Sequence, residues 1–388
     1  MLTDKDLIRY SRQMVMPGFG EGAQHKLLGA KVLVVGAGGL GSPVLSYLTA
    51  AGIGQIGIVD PDVVDLSNLQ RQVIHSTASL GIPKVFSAKM RLQQINPGIQ
   101  VQTYQTELTA KTAVEIIPGY DLVVDCVDNL ATRYVVNDAC VALQKPLIEA
   151  GVTRYEGLIT TIIPGKSPCY RCIFPNPPAD DAIPSPAQTG VLGSTPGVIG
   201  AMQATEAIKL ILGAGRTLAG RLMIVDLLDM ECRLIEVERS ANCPSCSWLD
   251  DLAIARAELE RDNSIAVVAV KGGQVIGKES GRRLLPLIRL VDSLGLTLHG
   301  ASVADKVVGL AAARVLLAAG VRAVFGKIMS QSALEQFKRD SVPAHFSSTV
   351  PCIQGPGGNS CPMEGIARAA QTHEEALTKL RQALKHMP

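Results

Sequence analysis

The sequence predicts an α/β protein: a Rossmann-like, doubly wound and largely parallel sheet, followed by a second, smaller α/β domain. Three observations carry that reading. Short apolar runs alternate with helical segments through the first 246 residues. The glycine fingerprint Gly36-Ala-Gly-Gly-Leu-Gly41 follows directly on the first of those runs. Strand and helix signals then start afresh at Ser264.

In chain order, Lys31–Val35 is an apolar strand, and a small-residue helix runs from the glycines to about Ala51. Gln55–Val59 is a second strand, ending at Asp60. Asp121–Asp125 and Pro146–Ala150 are further strands, with helical character between them at Tyr134–Leu143. Gly157–Ile163, Arg221–Asp226 and Cys232–Glu238 read as later strands. Gly197–Leu212 reads as a helix capped by Ser194 or Thr195, with Pro196 in its first turn. Pro164–Pro196, dense in Pro, Gly, Asp and Ser, reads as a loop or crossover over the site, or else as a surface insertion. The first domain is expected over 1–249, a linker over 250–262 and the second domain over 263–388.

The second domain opens with Ser264–Val270, a hairpin-like Lys271-Gly-Gly-Gln274 and Val275–Gly277. Helices are expected at Leu284–Ser293 and about Val303–Leu317, a strand at Val321–Gly326, and a helix from Ser330 or Gln331. Pro356–Ser360 is Gly/Pro-rich, and an amphipathic helix closes the chain at Thr372–His386.

Composition narrows the function classes. Of 388 residues, 47% are apolar and 19% charged, enough for two buried cores. The 37 basic and 35 acidic side chains leave a net charge of +2, and only 4% of residues are aromatic. Neither a bulk basic surface nor a base-stacking platform is present, so no nucleic-acid partner is expected. The N-terminus has no apolar signal core, and the most apolar stretch, Val303–Val321, is interrupted by Asp305, Lys306 and Arg314. A cytoplasmic protein without a membrane partner is expected.

The glycines Gly36, Gly38, Gly39 and Gly41 lie between strand and helix, where a helix N-terminus offers free N–H groups to phosphate. Asp60, at the end of the next strand, can accept both hydroxyl hydrogen bonds of a ribose. Alone, these features mean nucleotide binding, and a NAD-dependent oxidoreductase satisfies them. Hydride transfer has no use, however, for Arg71 and Lys84 beside a phosphate site, whereas nucleotidyl transfer needs cations against the reacting phosphate. Asn68 can orient the same phosphate. A solvated helix with routine salt bridges is the plain alternative for Arg71 and Lys84. Asp128, in Asp125-Cys-Val-Asp-Asn129 at a strand's C-terminal end, is placed to hold Mg²⁺ against a triphosphate with Asn129 as helper. A helix cap is the alternative for either residue.

Nine cysteines include two Cys-x-x-Cys pairs, Cys169/Cys172 and Cys243/Cys246. Two such pairs beside turn-forming prolines point to a tetrahedral S₄ zinc site. With four sulfur ligands no position stays open, so the metal is expected to be structural.

The segments Arg9-Tyr-Ser-Arg-Gln13, Gly36–Gly41, Ser67-Asn-Leu-Gln-Arg-Gln72, Gly81-Ile-Pro-Lys84, Asp125–Asn129 and the two cysteine pairs resemble, in order, the E1-like (ubiquitin-activating type) adenylyltransferase family. The resemblance is nearest to the bacterial enzymes that act on sulfur carriers for molybdopterin and thiamin synthesis. It implies ATP and Mg²⁺ as ligands, and a ubiquitin-like sulfur-carrier protein ending in Gly-Gly as partner and substrate. Asp60 then binds the ribose, Asn68, Arg71 and Lys84 contact phosphates with Gln72 beside them, and Asp128 coordinates magnesium. Arg12 is implied to cross a homodimer interface into the neighbouring ATP site. Between Cys172 and Cys232 there is no cysteine, the neighbourhood of interest being Ile183-Pro-Ser-Pro-Ala-Gln-Thr189, so a thioester there is not expected. A separate sulfur donor, such as a cysteine desulfurase or rhodanese, is expected instead. Adenylation of a peptide or small-molecule carboxylate, and a non-catalytic nucleotide-binding scaffold, are the alternatives.

From about Ser264 the chain resembles an uncharacterised family distantly similar in fold to cytidine deaminases, on Ala304-Asp-Lys-Val-Val-Gly309 at a supposed helix start, Val350-Pro-Cys352 and Cys361-Pro-Met-Glu364. A working deaminase needs a zinc-bound water and a proton-shuttling glutamate. Asp305 and Lys306 stand where the first of these motifs would fall, and Cys361 is unpaired. A binding or regulatory domain is expected rather than a deaminase.

Overall fold

The computed structural model describes residues 2–175, 189–355 and 361–385. The chain divides into two compact units, Met1–Ser245 and Cys246–Pro388.

In the first unit the strands are β1 Lys31–Val35, β2 Gln55–Val59, β3 Gln100–Tyr104, β4 Leu122–Asp125, β5 Leu147–Thr153, β6 Glu156–Ile162, β7 Arg221–Asp226 and β8 Glu231–Glu236. They form one eight-stranded sheet in the order β3-β2-β1-β4-β5-β6-β7-β8. The pairs from β3 to β5 are parallel, and β6, β7 and β8 extend the sheet antiparallel. The sheet is therefore parallel where the glycine loop emerges and antiparallel beyond it. Strand order reverses at β1, whose neighbours are β2 on one side and β4 on the other, which opens a crevice at the strands' C-terminal ends.

Helices α1 Asp4–Arg9, α2 Ser11–Met14 and α3 Gly20–Gly29 precede β1. The crossovers supply α4 Gly41–Ala51, α5 Lys84–Ile95, α6 Ala110–Ile116 and α7 Leu130–Ala142, then α8 Tyr170–Ile173 and α9 Ser194–Leu212. β1 is buried from Val32 to Val35, as a central parallel strand covered on both faces must be. Val44, Leu45 and Leu48 of α4 join Ile56, Ile58 and Val124 in the main core. Gly36 adopts φ +98°, and a Cβ on Gly41 would fall 2.1 Å from the Gly36 carbonyl oxygen. The fingerprint needs glycine at these two points because the loop folds back on itself. The cap expected from Ser194 or Thr195 is absent: α9 is preceded by Gly193 without a side-chain cap, and Thr195 donates to the Arg154 carbonyl at 3.0 Å.

The second unit begins with α10 Ser247–Arg261, so the linker expected over 250–262 is a helix of the domain. Trp248 and Leu252 are buried, and Asp251 accepts hydrogen bonds from Gly272 and Gly273 N–H at 3.1 and 2.7 Å. That hairpin joins β9 Ile265–Lys271 to β10 Gln274–Ser280. α11 Leu285–Leu294, β11 Ser302–Val308, α12 Leu310–Ala318, β12 Ala323–Ser330, α13 Gln331–Arg339, β13 Ala344–Val350, α14 Pro362–Ala369 and α15 His373–Lys385 follow. The sheet order is β10-β9-β11-β12-β13, antiparallel through β9 and parallel from β11 to β13. The helix expected over Val303–Leu317 is thus a strand, a break at Gly309 and a shorter helix. Asp305 and Lys306 lie within β11, not at a helix start. The Gly/Pro-rich 356–360 falls outside the described residues, as does 176–188 of the expected crossover.

Candidate functional site

The crevice at the strand reversal is the mouth of a cavity of about 1450 Å³. Drug-sized ligand sites occupy roughly 300–1,000 Å³, so this space exceeds what a nucleotide alone fills. Gly36, Gly38, Gly39, Asp60, Arg71, Gln72, Lys84, Asp128 and Asn129 all line it. Arg133, Gly151, Gly157, Tyr170 and Phe174 line it as well.

Asp60 is 5% exposed; its Oδ2 accepts from Ala37 N–H at 2.8 Å and its Oδ1 from Asp62 N–H at 2.9 Å. Burial raises its pKa against the opposing pull of Lys84 and these two donors. Lys84 opens α5, and its amine reaches Asp62 at 2.8 Å with only 8% of the side chain exposed. Arg71 is half-buried and donates to the Ser67 carbonyl at 3.1 Å. Gln72 is buried, its amide nitrogen 3.4 Å from a Cβ built on Gly38, and its Oε1 has no hydrogen-bond partner among the described residues.

Asp128 is exposed on the cavity wall with no hydrogen bond or ion pair among the described residues. Asn129 accepts from Thr132 N–H at 2.8 Å and caps α7, the structural role weighed for it above. Asn68 is engaged in its own turn, accepting from Asp65 N–H at 3.3 Å, and does not line the cavity. Gly41 shapes the loop rather than the wall. Arg12, exposed on α2, does not line the cavity of its own chain either.

His75 is buried, with Nε2 2.9 Å from the Ala37 carbonyl and Nδ1 2.8 Å from the Ser87 hydroxyl. A carbonyl only accepts, so Nε2 carries the proton and Nδ1 accepts from Ser87. Burial lowers its pKa and keeps the ring neutral. His75 braces the glycine loop against α5.

The sequence does not mark the charged group beneath the cavity. Arg133 of α7 and Glu149 of β5 are 7% and 0% exposed, and Arg133 Nε lies 3.1 Å from Glu149 Oε1. Asp125, fully buried at the end of β4, completes the group. Burial works against the Arg133 charge, but Glu149 and Asp125 more than offset it. Burial first, then the Asp125 charge, pushes the Glu149 carboxyl well above the usual carboxylate range, against the pull of Arg133. A lone Glu inside the apolar run Leu147–Ala150 is the one trace of this group in the sequence.

Cys169, Cys172, Cys243 and Cys246 come together with all four Sγ atoms within 4.8 Å of one another. Cys169 Sγ is 4.0 Å from Cys172 Sγ and 3.5 Å from Cys243 Sγ. Zn–S bonds of about 2.3 Å in a tetrahedron put sulfurs about 3.8 Å apart, so the donor set fits zinc.

No helix among the described residues is long and apolar enough to cross a membrane. The profile of the ThiF family matches residues 10–245, and that of a domain of unknown function (DUF1893) matches residues 254–384. The sulfur carrier protein adenylyltransferase of Thermus thermophilus is 47% identical over 249 residues, which cover 63% of this chain and 92% of that protein. The adenylyltransferase and sulfurtransferase MOCS3 of Drosophila grimshawi is 48% identical over 248 residues, and there the chain spans 55% of the relative's length. Among solved structures, Escherichia coli MccB with MccA-N7isoASN superposes with a TM-score of 0.56 at 26% identity, over 61% of this chain and 74% of that one. MccB with ATP superposes with a TM-score of 0.53 over the same shares. With the glycine loop, the carboxylate at the end of β2 and the paired cysteines in place, and a family profile spanning more than half its length, the chain belongs to the ThiF family.

Proposed function

We propose that the first unit is an ATP-dependent adenylyltransferase acting on the C-terminal carboxylate of a ubiquitin-like sulfur-carrier protein ending in Gly-Gly. One observation carries this reading: Asp60, Arg71, Lys84 and Asp128 share the wall of a cavity that has room for a peptide tail beside the nucleotide. The 47% identity to a sulfur carrier protein adenylyltransferase supports the choice of partner.

In the reaction a carboxylate oxygen of the tail attacks the α-phosphorus of ATP. The bond from that phosphorus to its bridging oxygen breaks, pyrophosphate leaves with the electron pair, and a carrier acyl-adenylate remains. Asp60 accepts from the ribose hydroxyls, while the glycine loop presents its N–H groups to the phosphates. Arg71 and Lys84, with Gln72 beside them, offset charge that moves onto the bridging oxygen, and Asn68 would have to leave its own turn to reach the phosphate. Asp128, assisted by Asn129, would hold Mg²⁺, which when bound screens the leaving pyrophosphate. Arg12 serves the site of a second subunit in a homodimer. Cys169, Cys172, Cys243 and Cys246 would hold a structural Zn²⁺ that ties the end of the sheet to the segment after β6.

The acyl-adenylate is then converted to a thiocarboxylate with sulfur from a separate donor such as a cysteine desulfurase or rhodanese, in cofactor synthesis (molybdopterin or thiamin) or tRNA thiolation in the cytoplasm. The second unit, of distantly deaminase-like fold, binds a carrier, an acceptor or a small ligand. The likeness to MccB in complex with MccA keeps open one other reading, a peptide or small-molecule carboxylate as substrate, but at 26% identity MccB stands further from this chain. ATP–pyrophosphate exchange separates the two. Exchange that depends on a co-encoded protein with a free Gly-Gly terminus is expected. Bound ATP without exchange for every such protein refutes the carrier reading.

A further inference from the structure

The connection Cys126–Asn129, which carries Asp128, is short, and its backbone is held at both faces of one residue. Val127 N–H donates to Asp125 Oδ1 at 3.0 Å. The Val127 carbonyl accepts from Arg133 Nη2 at 2.9 Å. Arg133 Nε in turn pairs with Glu149 Oε1 at 3.1 Å, and Asp125 is fully buried at the end of β4. Downstream, Asn129 pins the connection to the first turn of α7. Among the described residues the Asp128 carboxylate makes no hydrogen bond, while the peptide preceding it is held by Asp125 and Arg133.

Such a group is an expensive way to hold a loop. Replacing buried ion pairs by apolar residues of similar volume is often neutral or stabilising, so a buried arginine with two acids is poor evidence for stability alone. β5 makes room for it: a Cβ on Gly151 would lie 2.6 Å from Arg133 Nη1, although Gly151 itself has an ordinary backbone conformation. What the group provides is position, and a catalytic group misplaced by about 1 Å can lose on the order of a hundredfold in rate.

We infer that Arg133, held by Glu149 and accommodated by Gly151, is a positioning residue that sets the Val127–Asp128 peptide so that the Asp128 carboxylate faces the metal-binding point of the ATP site. The inference rests on the part given to Asp128 in the proposed function. Neither Arg133 nor Glu149 needs to touch the nucleotide for it.

The test uses the full-length chain and equilibrium binding of ATP with and without Mg²⁺, a measurement that requires no carrier. Wild type is expected to bind ATP more tightly with Mg²⁺, and Asp128→Ala to lose that gain. Arg133→Lys shortens the clamp, and Gly151→Ala displaces the guanidinium without removing any charge. Both are expected to reduce the Mg²⁺-dependent gain about tenfold while Mg²⁺-free affinity stays within about twofold. The inference is overturned if folded Arg133→Lys or Gly151→Ala keeps the wild-type Mg²⁺ response, or if affinity falls equally with and without the metal. If only one of the two variants folds, that one decides. Carrier-dependent exchange measured in parallel keeps the readings apart: its absence in wild type, with the Mg²⁺ pattern intact, removes the carrier reading and leaves the positioning role standing.

Discussion

Asp305 should make the second unit less stable at neutral pH than at pH 4, and Asp305→Asn should remove the difference. The carboxyl is 9% exposed in the middle strand of the five-stranded sheet. Burial lifts its pKa from 3.8 to about 7, against hydrogen bonds from the Val307 and Lys306 backbone and the charge of Lys306. The Lys306 amine is drawn off to the Asn263 carbonyl and does not neutralise it. A folded pKa above the unfolded one means that the unfolded chain gives up its proton first, so stability is full below about pH 4 and drains away as pH climbs to 7. Three pKa units correspond to about 4 kcal/mol at the top of that window. Asparagine keeps the 3.0 Å bond from Val307 N–H and carries no proton to lose. Trp248, the single tryptophan, stacks on His345 within this unit, so urea unfolding followed by its fluorescence reads the unit alone. The variant is expected to gain up to about 4 kcal/mol at pH 8 and almost nothing at pH 4. An equal change at both pH values, or none at pH 8, refutes the buried-carboxylate argument.

The cysteine cluster predicts one zinc per chain; Cys243→Ser should lower metal content and melting temperature together, and full zinc retention by elemental analysis contradicts the assignment. Mixing Arg12→Ala with Asp128→Ala subunits should restore part of the exchange activity, since a hybrid dimer holds one intact site; verified hybrids without recovery place Arg12 outside its partner's site. A chain ended at Leu249 keeps all four cysteines and every cavity residue, so exchange should survive while sulfur delivery to the acceptor declines. Loss of exchange in that zinc-replete truncation means the second unit completes or stabilises the site.

The nucleotide half of the site was legible because its signals are local: Gly36–Gly41 is read as a spacing, and Asp60 by its place after an apolar strand. Asp128 and Asn129 were legible as a pair, but only coordinates separate the free carboxylate from the helix cap. Arg133 and Glu149 went unread as a unit because their pairing is tertiary, a helix side chain meeting a strand side chain sixteen positions on. Val303–Leu317 was misread because its Ala/Val/Leu-rich run, broken only by Asp305, Lys306 and Arg314, gives no clean 3.6 or 2.0 period, and Gly309 was the punctuation to heed. β3 and β13 escaped for the opposite reason. Both are edge strands, and sequences such as Gln100–Tyr104 and Ala344–Val350 mix polar residues into half-exposed positions.

The Lys84–Asp62 pair bears on what happens after chemistry. Asp62 is 62% exposed, and such half-solvated pairs are worth about 0–1 kcal/mol, so a phosphate displaces the carboxylate at little expense. In the proposed reaction the same carboxylate, 2.8 Å from the amine in the structure, would compete to reclaim it as pyrophosphate leaves. A lysine without such a neighbour would grip substrate and product alike, and uniform grip lowers KM without raising kcat. In the proposed adenylation, a lysine paired with a weak, solvent-facing partner would give up some affinity in favour of faster release of pyrophosphate.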